Sequence, residues 1–249
     1  MNSLFRKYGY LTVVAVLFFA SASFAQTTQL TLTGVGAGTV VGNVYVDPYV
    51  GSVGGGPNTY VICDDWSDNT YVNETWTANV NTVPSVDSGT NSTVPLFGNR
   101  PTLYNEAAYL AAALLANTSN PTAESEISFA LWQLTYSSYP PPDPEPQAPF
   151  AYLTSIGDGS TSTFQEGAQT WLTAALGESN YNAADWEILT PNLSGSQPSC
   201  SGSPCPSSPP QEFLVYTPES SSTILFGADM LGLLGLIVVF RRRLLRPIL

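Results

Sequence analysis

Apolar and polar residues alternate from the start of the central part of the chain. In TQLTLTGVGAGTVVGNVYV the apolar side chains tend to fall on every second position, with Thr and Val enriched, which predicts two strands around a Gly-rich turn. DPYVGSVGGGPN reads as a loop. TYVICDDW predicts a third strand ending in acids, and TWTANVNTV, alternating again, a fourth. PSVDSGTNSTVP is a turn-rich connection. The period then changes. In LYNEAAYLAAALLAN, residues Tyr104, Ala107, Ala108, Ala111, Leu114 and Leu115 recur at helical spacing in an alanine-rich background. NPTAESEISFALWQLTY predicts a second helix. Pro121 suits its first turn after Asn120, Glu124 and Glu126 lie near its positive end, and Ile127, Ala130, Leu131 and Leu134 form its apolar face. YPPPDPEPQAPF is a proline-stiffened loop. Thr163 and Glu166 have the spacing of a capping box for a third helix, FQEGAQTWLTAALG, ending at Gly177. DWEILT and EFLVYT predict closing strands on either side of a Ser/Pro/Gly/Cys-rich loop. Strands, then helices, then strands predict an α+β domain with a β-sheet or sandwich core and about three helices.

The two ends break this pattern. Arg6 and Lys7 precede an apolar stretch from Leu11 to Ala20, and Ser23 and Ala25 are small residues at the positions a signal peptidase reads. Residues 1–25 are therefore expected to be a secretory signal peptide. Thr223 to Phe240 is a second apolar run, 18 residues long. As a helix it would reach about 27 Å, against a hydrocarbon core of roughly 30 Å. Asp229 inside it would cost roughly 2.5–3.5 kcal/mol near mid-bilayer. Arg241, Arg242, Arg243 and Arg246 follow at once, and the positive-inside rule keeps them cytoplasmic. The expectation is a single, marginal C-terminal transmembrane helix over 223–240. The chain then divides into a signal peptide (1–25), an extracytoplasmic domain (26–194), a Ser/Pro/Gly/Cys-rich loop (195–211), a closing strand (212–216) and a tail (217–246).

That tail resembles the PEP-CTERM sorting signal of Gram-negative bacteria, which joins a Pro-Glu-Pro-like motif, a short transmembrane helix and a basic cluster. Pro218 and Glu219 match, and Ser220 stands where the family usually has its second proline. The resemblance implies recognition by an exosortase, a membrane-embedded cysteine transpeptidase that cuts near the motif and hands the protein on. Uncut, the same tail would leave a membrane-anchored surface protein.

Charge narrows the partners. The chain carries a net charge of −12 and no histidine. Between Gln26 and Tyr216 seventeen acids face a single base, Arg100. Such a surface repels nucleic acid and anionic lipid. Without histidine, Ser-His-Asp and Cys-His arrangements are impossible, and carboxylate-only chemistry of the glycosidase kind is the enzymatic route left. Cys200 and Cys205, in PSCSGSPCPSSPP, would pair as a local disulfide in an oxidising compartment, which leaves Cys63 odd.

The densest polar cluster is VICDDWSDNTYVNETW. Asp65, Ser67, Asn69 and the Tyr71 carbonyl have the odd spacing of a calcium loop, but Thr70 replaces its turn glycine and Trp76 its bidentate glutamate. Calcium is thus the one cofactor left open. A carboxylate pair of Asp64 with Asp65 or Asp68 is a second reading, although neighbouring strand residues point to opposite faces. A strand end entering a solvated turn is the third and the favoured one. Together with NEAAYLAAALL and EISFALWQLTY, the segment YVICDDW also resembles the core of secreted thioester-domain proteins. There a strand cysteine attacks a glutamine in a helical Gln-x-Ala-(Ile/Leu)-Trp motif, expelling ammonia. Cys63 matches the thiol, and Ala130, Leu131 and Trp132 match the motif's end, but the glutamine position is Ser128. Serine has no acyl group, so the resemblance implies a scaffold without its reactive bond. The reading is an exported, exosortase-sorted, non-catalytic structural or adhesive protein of the cell surface or extracellular matrix. Exosortase, the membrane and exopolysaccharide or matrix are its expected partners. A carboxylate-based polysaccharide-acting enzyme and a covalent thioester adhesin are the alternatives.

Overall fold

The computed structural model describes residues 26–90, 93–98, 100–138, 147–156, 161–192, 194, 199–200 and 210–218. The signal peptide and the tail from Glu219 onward, with Ser220 and the arginines, lie outside them, as does the pairing of Cys200 with Cys205. No helix among the described residues is long and apolar enough to cross a membrane.

Among the described residues nine strands form: β1 (Gln26–Val35), β2 (Val40–Val41), β3 (Val44–Tyr45), β4 (Tyr49–Val53), β5 (Asn58–Cys63), β6 (Glu74–Thr82), β7 (Trp186–Pro191), β8 (Ser199–Cys200) and β9 (Phe213–Tyr216). The expected open sheet or sandwich is not what they build. β1 pairs with β4 on one side and with β6 on the other, so that Leu30 lies opposite both Val53 and Trp76. The ring β1-β4-β5-β9-β7-β6 therefore closes into a six-stranded antiparallel barrel, with β8 added at β6 and β2–β3 as a separate hairpin. Closure removes the free edges that an open sheet would leave.

Period-2 alternation builds two cores. Leu30, Leu32, Val61, Cys63, Trp76, Ala78, Leu189, Phe213 and Val215 fill the barrel interior. The intervening Ile62, Ile188 and Leu214 point outward and join the helical core. Strands β5, β7 and β9 are thus covered on both faces, which explains why their sequences read as short apolar runs.

The helices number five among the described residues, against about three expected: α1 (Val83–Asp87), α2 (Pro101–Ala116), α3 (Pro121–Ser138), α4 (Pro149–Ile156) and α5 (Thr161–Leu176). α3 begins as predicted, with Asn120 Oδ1 accepting the amide of Ala123 at 3.3 Å. α5 begins two residues earlier than its capping-box signature, so Thr163 lies within the helix. α1 and α4 were hidden in stretches whose turn residues and prolines read as loops. The helix N1 position tolerates proline, and Pro149 occupies it in α4.

β4 was also read as a loop. Its inward positions are Tyr49 and Gly51, so the alternation is masked by glycine. A Cβ on Gly51 would lie 3.2 Å from both Leu30 Cδ1 and the Thr31 carbonyl, so these neighbours would have to give by a few tenths of an ångström to admit it.

Candidate functional site

Cys63 ends β5 with its side chain in the barrel core. Its thiol donates to the carbonyl of Asp65 at 3.2 Å. Burial, and then the charges of Asp65 and Asp64, hold this thiol well above its usual pKa. It is a protonated, buried group and a poor nucleophile.

Helix α3 runs across the end of this strand, and one stripe of it caps backbone carbonyls. Ser128 Oγ donates to Val46 O at 2.5 Å, Trp132 Nε1 to Cys63 O at 3.0 Å and Thr135 Oγ1 to Asp64 O at 2.7 Å. The spacing of four and then three residues puts all three on one helical face. Cys63 and Ser128 therefore border the same seam. The serine, however, bonds to the chain entering β4 and leaves the thiol to Asp65. Gln133 turns away: it bonds to Ser137 and to the amide of Phe150, fastening α4.

Two acids after Cys63 diverge. Asp64 is fully buried, and neither of its carboxylate oxygens has a hydrogen-bond partner among the described residues. Burial, then Glu212 and Asp65, push its pKa far up. Glu212 is well partnered, accepting from Leu96 N at 2.8 Å, Tyr104 OH at 2.7 Å and the Thr190 hydroxyl. Burial still raises its pKa. Asp65 faces the other way, into a cleft of about 550 Å³. Its Oδ1 accepts the amide of Ser67 at 2.8 Å, while its Oδ2 has no partner among the described residues. Burial and the neighbouring Asp68 push its pKa up to about 7. Asp64 and Asp65 differ in their surroundings: Asp64 is buried near Glu212, whereas Asp65 lines the cleft. The pair that meets is Asp65 with Asp68.

The predicted calcium residues Asp65, Ser67 and Asn69 do line this cleft. Their geometry is that of a local turn, in which the Asp65 carboxylate folds back on its own loop. Among the described residues no group of three His, Cys, Asp or Glu side chains is placed to hold a metal ion.

Aromatic rings wall the cleft. Trp66 sits 5.2 Å from Trp132 and 5.4 Å from Tyr152, centroid to centroid, and its Nε1 donates to Gln147 O at 2.7 Å. Tyr152 OH receives the amide of Asn43, in the turn of the β2–β3 hairpin, at 3.3 Å. That turn needs Gly42: its φ is +63°, and a Cβ would stand 2.6 Å from the Tyr152 hydroxyl.

Sequence reasoning missed Gln211 and Glu212. Gln211 Nε2 donates to Asp65 O at 2.7 Å, the carbonyl that Cys63 also binds. The pair sits between prolines and the last strand in PPQEFLVY, where it reads as loop. Only the barrel's closure brings it 148 residues along the chain to Cys63.

No family model matches the chain, and no curated protein matches it. Among solved structures, the N-terminal thioester domain of fibronectin-binding protein SfbI from Streptococcus pyogenes is similar over 80% of this chain and 97% of that chain. The sequence identity is 11% and the TM-score 0.39. At that distance the likeness carries nothing further, and the site is read from its own geometry.

Proposed function

We propose that this chain is an exported surface or matrix protein that works by non-covalent contact, as a structural or adhesive component. The observation that carries the non-covalent part is Ser128. Its hydroxyl is committed to Val46 O, in the place where a thioester scaffold would present a carboxamide to Cys63. The buried, protonated thiol points the same way. Export is supported by the sequence at both ends. Residues 1–25 have the build of a signal peptide: Arg6 and Lys7, an apolar run from Leu11 to Ala20, and small residues at Ser23 and Ala25. Beyond β9, Pro218, Glu219 and Ser220 lead into the apolar run and the arginines that an exosortase would read. Fractionation of the host with and without its exosortase, followed by mass analysis of the mature C-terminus, tests sorting. The expected result is a truncated C-terminus and surface location that both depend on the exosortase. A full-length cytosolic chain with its leader intact would overturn export.

A second reading rests on Gln211. Its carboxamide and the Cys63 thiol bind the same carbonyl, so this glutamine is at hand for the thiol. Attack of Cys63 Sγ on Gln211 Cδ would form an S–C bond and release the side-chain nitrogen as ammonia, with the thiol proton leaving on it. Intact mass separates the two readings, because the thioester lowers the mass by one ammonia and takes up methylamine. The non-covalent reading predicts neither. Hydrolysis by Asp65 and Asp68 would release reducing ends from polysaccharide, and none is expected.

A further inference from the structure

The cleft beside Asp65 has a specific chemistry. At its floor lies Asp65, with no exposure and an Oδ2 that lacks a donor among the described residues. Such a buried acceptor calls for a ligand that supplies O–H or N–H. The walls are flat rings. Tyr45 and Tyr71 are 44% and 51% exposed, and Trp66 and Tyr152 line the cleft with them. The rim carries amides, Asn43, Asn69, Gln147 and Gln211, which both donate and accept. No base lines it.

Ligand classes can be tested against this set. An anion meets Asp65 and Asp68 with nothing to balance it. A purely apolar group would leave Asp65 unpaired. A cation satisfies the carboxylates but supplies only donors, so the amide N–H groups of the rim gain nothing from it. A polyol ring meets every requirement: C–H faces for the aromatic walls, and hydroxyls that donate to carboxylates and accept from amides. The volume, about 550 Å³, falls within the range of small-molecule sites. We propose that this cleft binds a neutral saccharide unit of a surface or matrix polysaccharide, its ring faces on Tyr45, Tyr71 and Trp66 and its hydroxyls on Asp65 and Asp68. The proposal rests on the non-covalent surface reading above and names the ligand class of that role. Asp65, held near neutrality, can accept a hydroxyl proton when ionised and donate one when protonated.

The test is affinity electrophoresis of the full-length protein in a polyoxyethylene detergent, which carries no sugar. Gels contain dextran, galactomannan, mixed-linkage β-glucan, anionic alginate or polylysine. At least one neutral polysaccharide should retard the protein, and alginate should not. Tyr71→Ala and Asp68→Asn should each weaken that retardation by about tenfold, with melting curves confirming that both variants fold. Tyr60→Ala, exposed but outside the cleft, should be retarded like the unmodified protein. The proposal is overturned if none of the neutral polysaccharides retards the protein, or if the two cleft variants are retarded unchanged. Retardation only by polylysine, lost at high salt, would report the acidic surface as a whole and overturn the saccharide proposal. The intact mass of the same sample keeps the two levels apart: a free Cys63 with no retardation sinks the saccharide proposal alone, whereas a missing ammonia sinks the non-covalent reading beneath it.

Discussion

Asp64 is the residue whose chemistry is least compensated. Its carboxyl is buried, unpartnered among the described residues and next to Glu212, so folding favours its protonated form. Asp64→Asn keeps the shape, removes the charge and supplies a donor. We expect it to raise the melting temperature at pH 8 and to change it little at pH 5. Equal effects at both pH values would mean that Asp64 is not held protonated. Ser128 gives a second residue-scale prediction. Ser128→Ala leaves the buried Val46 carbonyl without its donor and should cost about 1–2 kcal/mol in urea unfolding. No loss would show that the bond to Val46 does not hold the helix. That Ser128 lies beside the apolar face of its helix was legible in the sequence, from the helical spacing of Ile127, Ala130, Leu131 and Leu134. Its bond to Val46 was not, since nothing local links positions 82 residues apart.

At the scale of elements, the strands with clean alternation were predicted and the masked ones were missed. β1 and β6 show their inward residues as Leu30, Leu32, Trp76 and Ala78, large or apolar at every second place. β4 hides its inward face because Gly51 occupies the tightest position. Gly51→Ala should therefore push against Leu30 and the Thr31 carbonyl and destabilise the fold by about 1–3 kcal/mol. A neutral outcome in the same unfolding assay would contradict the tight closure of the barrel. Helices α2 and α3 were legible for the converse reason, long runs at a helical period. The one-turn α1 lacks the length for a period to show, and proline at the start of α4 masks its helix.

For the whole molecule the governing fact is charge. Seventeen acids against one base in the body leave buried carboxyls without cations to pair with. Asp64, Asp65 and Glu212 all titrate above their unfolded values, near 4. The sign follows: the folded state binds more protons, so the stability these groups contribute is complete below about pH 4 and is lost as pH rises through about 7. The melting temperature should thus fall from pH 5 to pH 8. A rise over that range would mean the carboxylates are ionised and stabilised in the fold. Closure of the sheet was not legible from the sequence, because alternation reports which face is buried and not whether the first and sixth strands of the ring meet. The cleft was legible only in part. The Asp65 loop was singled out, but Gln211 and Tyr152 reach it through the barrel and α4. The central claim, a scaffold that acts without a covalent bond, is tested most directly by the intact mass of the mature protein from its host, before and after methylamine. The account predicts the full composition with Cys63 as a free thiol and no methylamine taken up. A mass short by one ammonia, with methylamine incorporated at Gln211, would contradict it.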